Sequence, residues 1–241
     1  MQVPRPILIL KTGSTHAPIR ERLGDFEHWV ADGLLGAGAG VVVHDARTDG
    51  APPEQHRLSG VVITGSHSMV SEREPWSEAL LPWLRSAVSR ELPVLGICYG
   101  HQLLAHALGG VVEHHPGGVE IGTVDICLHP AAQDDALLGQ LPTRFAAQSV
   151  HWQSVRSLPP GARPLAFSGH EALHAFRVGR CAWGVQFHPE FSEHALQAYL
   201  DRLAPELQRQ GLDTGSIAAG LRPTPEAASV LPAFARLALA A

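Results

Sequence analysis

The stretch Leu92-Pro93-Val94-Leu95-Gly96-Ile97-Cys98-Tyr99-Gly100-His101-Gln102 runs an apolar strand pattern straight into a helical one, with a cysteine at the join. Glycines at 96 and 100 flank Cys98 in the order Gly-x-nucleophile-x-Gly. A sharp strand-to-helix turn leaves no room for side chains beside the residue at its tip. The spacing therefore predicts a nucleophile elbow with cysteine in place of serine. The helix beginning there sets its positive dipole end beneath the sulfur, which favours thiolate, the reactive form. A cysteine in such a run reads equally well as a small buried apolar residue.

Outward from the elbow, short apolar runs alternate with longer amphipathic stretches, as in a wound α/β sheet. Strands are expected at 6–10, 40–44, 58–64 and 92–97. Helical spacing of Leu23, Phe26 and Trp29 predicts a helix over 22–35. Trp76, Leu80, Leu81 and Leu84 predict another over 74–89, where Pro82 is a potential kink, and a third over 100–108 would end at Gly109-Gly110. The second half is strand-like at 120–127, 144–148 and 164–167, and 172–187 reads as a hairpin turned at Val178-Gly179-Arg180. Segments 192–203 and 225–239 read as closing helices, the second containing Pro232. The fold expected is a three-layer α/β domain over 1–241: a mixed sheet with helices on both faces and a partly antiparallel edge.

The segment Gly184-Val-Gln-Phe-His-Pro-Glu-Phe-Ser192 supplies what a cysteine nucleophile needs. His188 and Glu190 stand two residues apart just past an extended run, and Pro189 stiffens the backbone between them. A histidine takes the thiol proton, and a carboxylate fixes that histidine's tautomer.

With both segments in hand, the chain resembles a class I (triad) glutamine amidotransferase domain, similar to the glutaminase domain of GMP synthase. Gly96-Ile-Cys-Tyr-Gly-His-Gln102 and Gln186-Phe-His-Pro-Glu190 match the two blocks of that family. The likeness runs from Ile7 to about Leu203, leaving 204–241 as a closing loop and helix, and it implies a flavodoxin-like fold. It implies Cys98 as nucleophile, His188 as base and Glu190 as orienting acid. Val61-Val-Ile-Thr-Gly-Ser66 falls where the family ends a strand in a glycine-rich turn, so Gly65 and Tyr99 are the expected oxyanion N–H donors. Gln102 matches a substrate-contacting position, and Ser149-Val150-His151-Trp152 resembles the block whose backbone holds the amino-acid end of the substrate. Gln153 stands where family members often carry Asp. Glu120, before Ile121-Gly122, matches another recurring position, with a solvated carboxylate as the alternative.

The activity implied is hydrolysis of the glutamine side-chain amide through a cysteinyl thioester, without metal or organic cofactor. The ammonia would go to an acceptor on a separate synthetase. Two rivals remain: a γ-glutamyl peptidase with the same triad, and a regulatory subunit without turnover.

Composition agrees with this class. The 241 residues are 45% apolar and 17% charged, enough for a full core and incompatible with wholesale disorder. Lys+Arg 18 against Asp+Glu 23 leaves a net charge of −5, without the basic excess of a nucleic-acid binder. Lys11 is the only lysine and follows no phosphate-loop pattern. Lys11-Thr12-Gly13 matches one box of serine β-lactamases, but the partner box would need a serine where Leu8 stands. Adjacent His114 and His115 on a strand would face opposite ways and share no ion. Three unpaired cysteines suit a reducing compartment. The apolar run at 7–10 is too short for a signal peptide, and no stretch approaches the ~20 apolar residues of a membrane helix. The expectation is a soluble, cytoplasmic protein that binds neither nucleic acid nor membrane.

Overall fold

The computed structural model describes residues 5–241. Strand β1 (Ile7–Lys11) is buried on both faces, with Ile7 and Ile9 in one apolar core and Leu8 and Leu10 in another. Such two-sided burial is the mark of a central parallel strand, and it requires helices on both sides.

Gly24, at φ 88°, breaks the helix expected over 22–35 into α1 (Ala17–Leu23) and α2 (Phe26–Leu35). Asp25 caps α2, accepting from the Phe26 N–H, and takes an ion pair from Lys11 at 2.9 Å. Next come β2 (Val41–Asp45), β3 (Gly60–Ile63) and α3 (Pro75–Ser89). Pro82 lies inside α3, which runs uninterrupted.

The elbow stretch is β4 (Val94–Ile97) and α4 (Tyr99–Ala107). Then follow β5 (Val111–His114), β6 (Glu120–Leu128), β7 (Arg144–His151), β8 (Gln153–Ser157) and β9 (Arg163–Phe167). The expected hairpin is β10 (Ala175–Val178) and β11 (Ala182–Val185). The helix expected to end at 203 continues past Pro205 as α5 (Glu193–Arg209). The remaining tail holds α6 (Thr214–Ala219), α7 (Pro225–Ala228) and α8 (Val230–Ala240), more than one loop and helix.

Among the described residues, one sheet has the order β2-β1-β3-β4-β11-β10-β9-β6-β7. From β2 to β11 its pairings are parallel, and from β11 to β7 antiparallel. β5 and β8 form a separate antiparallel pair that the sequence patterns did not reveal. One core joins Val30 and Leu34 of α2 and Leu231 and Phe234 of α8 to the sheet. The other joins Leu80 and Leu84 of α3 and Leu103 and Leu104 of α4 to its opposite face. Three layers result, and the parallel half carries the elbow at its centre.

Candidate active site

Cys98 sits between β4 and α4 with φ 50° and ψ −100°, a left-handed conformation that a non-glycine residue holds at a cost of about 1–3 kcal/mol. Its neighbours make that turn possible. A Cβ on Gly96 would collide with the Gly100 carbonyl oxygen, and one on Gly100 would collide with that of Ile63. Cys98 N–H donates to the Val185 carbonyl at 2.9 Å, and Sγ lies 3.8 Å from the Val150 carbonyl oxygen.

β11 runs parallel to β4 and delivers His188 and Glu190 just beyond it. His188 N–H donates to the Gln148 carbonyl of β7 at 2.8 Å, and its ring stacks on Phe191 with centroids 4.1 Å apart. Nδ1 lies 2.8 Å from Glu190 Oε1, so Nδ1 carries the hydrogen, and Nε2 is buried without a partner. Burial alone would lower the imidazole's pKa. Glu190 and the neighbouring Cys98 outweigh it and raise the value to about 10, so His188 holds its proton at neutral pH.

Gly65 closes the site from the other side. A Cβ there would meet His188 Cε1 at 3.3 Å and Cys98 Cβ at 3.9 Å. The turn is locked from β1: Thr12 N–H donates to Thr64 Oγ1 at 3.0 Å, Thr12 Oγ1 to the Thr64 carbonyl at 2.9 Å, and Ser66 Oγ to the Thr12 carbonyl at 2.9 Å. The Lys11-Thr12-Gly13 motif thus belongs to the support of this turn. Among the described residues, neither the Gly65 nor the Tyr99 amide donates a hydrogen bond within the protein. The Tyr99 hydroxyl points away and pairs with Ser77 Oγ at 2.7 Å.

The group opens on a cavity of about 410 Å³. Gln102, Val150 and His151 line it, and Ser149 does not, since its hydroxyl turns to Glu120 at 3.0 Å. Gln102 Nε2 is spent on the Gln153 carbonyl at 2.8 Å and Gln186 Oε1 at 2.9 Å, which leaves Oε1 for a ligand. The Gln153 side chain, at the position where Asp was expected, is spent on Ser71. Glu120 is buried rather than solvated.

A ring-rich wall of His16, His67, Trp152, Phe191 and Tyr199 also lines the cavity; Trp152 belongs to the 149–152 block marked in the sequence, and the other four escaped that reading. His67 stacks on His16 at 4.2 Å and pairs with the Tyr199 hydroxyl at 3.0 Å. Burial, then His16, pushes its pKa down to about 4, so His67 is neutral. The one available signal was helical spacing, which reads Tyr199 as core.

Glu120, His151 and His174 bring donor atoms within 4.8 Å of one another, close enough for a metal ion. Both Nε2 atoms are instead on Glu120 Oε2, at 3.0 and 2.9 Å, as hydrogen-bond donors. His114 lines the cavity while the His115 ring packs at a tilt against His170, centroids 4.1 Å apart, so the adjacent pair points apart. Among the described residues no helix is long and apolar enough to cross a membrane.

Residues 22–203 match the family model for glutamine amidotransferase class-I. A glutamine-hydrolyzing GMP synthase subunit of Haloarcula marismortui is 31% identical over 73% of this chain and 86% of its own. Gamma-glutamyl peptidase 5 of Arabidopsis thaliana is 30% identical over 64% of each chain. Full-length GMP synthases at 35% identity are matched over only 25–26% of their length. A solved glutamine amido transferase from Methylobacillus flagellatus superimposes with a TM-score of 0.73 at 26% identity, over 99% of this chain and 94% of that one.

Proposed function

The chain belongs to the class I glutamine amidotransferase family, and from that premise we propose that it cleaves a γ-glutamyl amide through a thioester on Cys98. One observation carries the reading: Cys98 and the Glu190-paired His188 line one cavity, Gly65 packs against both, and the amides of Gly65 and Tyr99 are unspent. The Cys98 thiolate adds to the amide carbon while the Gly65 and Tyr99 N–H groups take up the oxyanion. As the C–N bond breaks, His188 gives its proton to the departing nitrogen. Water then attacks the thioester, its proton passing to His188, which releases the free γ-carboxylate and restores the thiolate–imidazolium pair. Side chains and water alone perform these steps.

With glutamine as substrate, the departing nitrogen is ammonia and the consumer is a synthetase on a separate chain. The relatives named as GMP synthases support that arrangement. A γ-glutamyl peptide is the second candidate. The relative named γ-glutamyl peptidase supports it, as do the ring-rich cavity and a Gln153 side chain already spent on Ser71. A reducing cytoplasm is the compartment we propose, supported by three free thiols. Residues 1–241 are proposed as one domain, supported by the packing of α8 in the core it shares with β1, β3 and β4.

Steady-state kinetics of the purified chain, with glutamine and with γ-glutamyl dipeptides, tests the reading. Weak glutaminase activity supports the synthetase-coupled form, and efficient partner-free cleavage of a γ-glutamyl peptide supports the peptidase. Turnover of neither, with or without an added synthetase, rejects both.

A further inference from the structure

Glu120 is a buried carboxylate on which four strands of the antiparallel half meet. Its Oε2 accepts from Ser149 Oγ at 3.0 Å, His151 Nε2 at 3.0 Å and His174 Nε2 at 2.9 Å, and its Oε1 from Ser168 Oγ at 2.9 Å. Glu120 opens β6, Ser149 and His151 belong to β7, Ser168 follows β9 and His174 precedes β10.

The His151 ring sits between two acceptors. Its Nε2 faces a carboxylate, and its Nδ1 faces the Gln153 carbonyl at 3.0 Å. A carboxylate and a carbonyl both accept, so Nε2–H toward Glu120 and Nδ1–H toward Gln153 together would make the ring an imidazolium paired with Glu120. The Gln153 carbonyl that takes Nδ1–H also takes Nε2–H of Gln102 at 2.8 Å. Gln102 lies in the first turns of α4, on the helix that begins at Cys98. A continuous polar chain therefore runs from Glu120 through His151 and the Gln153 backbone to that helix, along the cavity wall formed by Val150, His151, Trp152 and Gln153.

We propose that Glu120 is a positioning residue for substrate binding: through the His151 imidazolium it fixes the 150–153 wall and Gln102 in the arrangement that receives the γ-glutamyl group. The proposal rests on the γ-glutamyl chemistry given above. Glu120 touches none of the reacting groups, so its removal acts on binding and not on the sulfur. The electrostatics agree. Burial would raise the Glu120 pKa, yet the hydrogen bonds from His151 and His174 hold it well below the usual carboxylate range. A neutral amide at this position could still accept a hydrogen bond, but it would leave a buried imidazolium without its counter-charge.

Histidine-labelled protein tests the brace directly by 15N NMR. The wild type at neutral pH should show an imidazolium ring for His151, assigned by its disappearance in His151→Asn, and Glu120→Gln should abolish it. With whichever γ-glutamyl substrate the wild type accepts, Glu120→Gln should raise KM about tenfold and change kcat about twofold or less. Iodoacetamide should alkylate Cys98 at the wild-type rate in that variant. His174→Leu should also raise KM, and His174→Gln, which keeps a donor toward Glu120, should recover part of the loss. A neutral His151 ring in the wild type overturns the proposal, and that measurement needs no variant to fold with Glu120 replaced. So does a fall in kcat at unchanged KM, or a parallel slowing of alkylation. If the wild type cleaves no γ-glutamyl amide, the functional reading fails by itself, and the ring's charge still decides the brace.

Discussion

Burial alone would strip His188 of its proton, and the Glu190 carboxylate together with Cys98 reverses that, holding the imidazole at about 10. A folded-state value above the ordinary 6.5 means that the charged ring favours folding. That contribution is complete below about pH 6.5 and is lost as the pH rises through about 10. Glu190→Gln should therefore lower Tm most at pH 6–7, and the gap to wild type should close toward pH 10 in thermal melts. A gap that widens with pH would refute the pairing. Reactivity follows the same geometry. Cys98 stands at a helix N-terminus beside an imidazolium, while burial and Glu91 raise the Cys181 thiol. Iodoacetamide at neutral pH should label Cys98 well before Cys181, as read by peptide mass spectrometry. Cys98→Ala should remove turnover and leave the melting curve in place.

At the scale of the element, the elbow is a packing problem before it is a chemical one. β4 and α4 approach so closely that a single methyl on Gly96 would sit 2.3 Å from the Gly100 carbonyl oxygen, far inside van der Waals contact. Gly96→Ala should cost roughly 3 kcal/mol or more of stability, the upper range for overpacking, and denaturant titration measures it. The Gly65 turn depends instead on hydrogen bonds made by Thr12. Thr12→Val keeps the volume and removes the hydroxyl. If Gly65 is the oxyanion donor proposed above, loosening it in this way should lower kcat about tenfold, less than the hundredfold or more of removing such a donor outright, with KM little changed. An unaltered kcat would mean that the turn holds itself.

For the whole molecule, the tail is structural. Leu231, Phe234 and Ala235 of α8 are buried in the core that β1, β3 and β4 share. Gly33 of α2 lies so close to α8 that a Cβ would be 2.6 Å from Leu231 Cδ1. Gln148, whose carbonyl holds the His188 amide, donates from its side chain to the Arg222 carbonyl at 2.8 Å. Phe234→Ala should cost about 3–5 kcal/mol. Deleting 221–241 should give a chain that no longer unfolds cooperatively by calorimetry.

The elbow, the His-Pro-Glu run and the alternation of short apolar runs with amphipathic stretches were legible in the sequence because each is a local rule. A short apolar run that makes a strand buried on both faces, glycine beside a strained turn, and a histidine two residues from a carboxylate all act over a few neighbouring positions. The helix break at Gly24 and the continuation of α5 past Pro205 were not, since capping by Asp25 and packing against the sheet outweigh intrinsic propensity. Glu120 shows the limit most clearly. By sequence it is a polar residue at a strand start, as easily solvated as buried. Only the antiparallel register, which sets Glu120 opposite His151 and brings in His174 from 54 residues away, turns it into a buried counter-charge. The ring-rich wall of the cavity has the same origin, for its members come from distant turns and helices. Sequence determined which residues can do the chemistry. Tertiary structure decided which of them face the cavity, because burial and charge pairing depend on neighbours that the chain meets only after it folds.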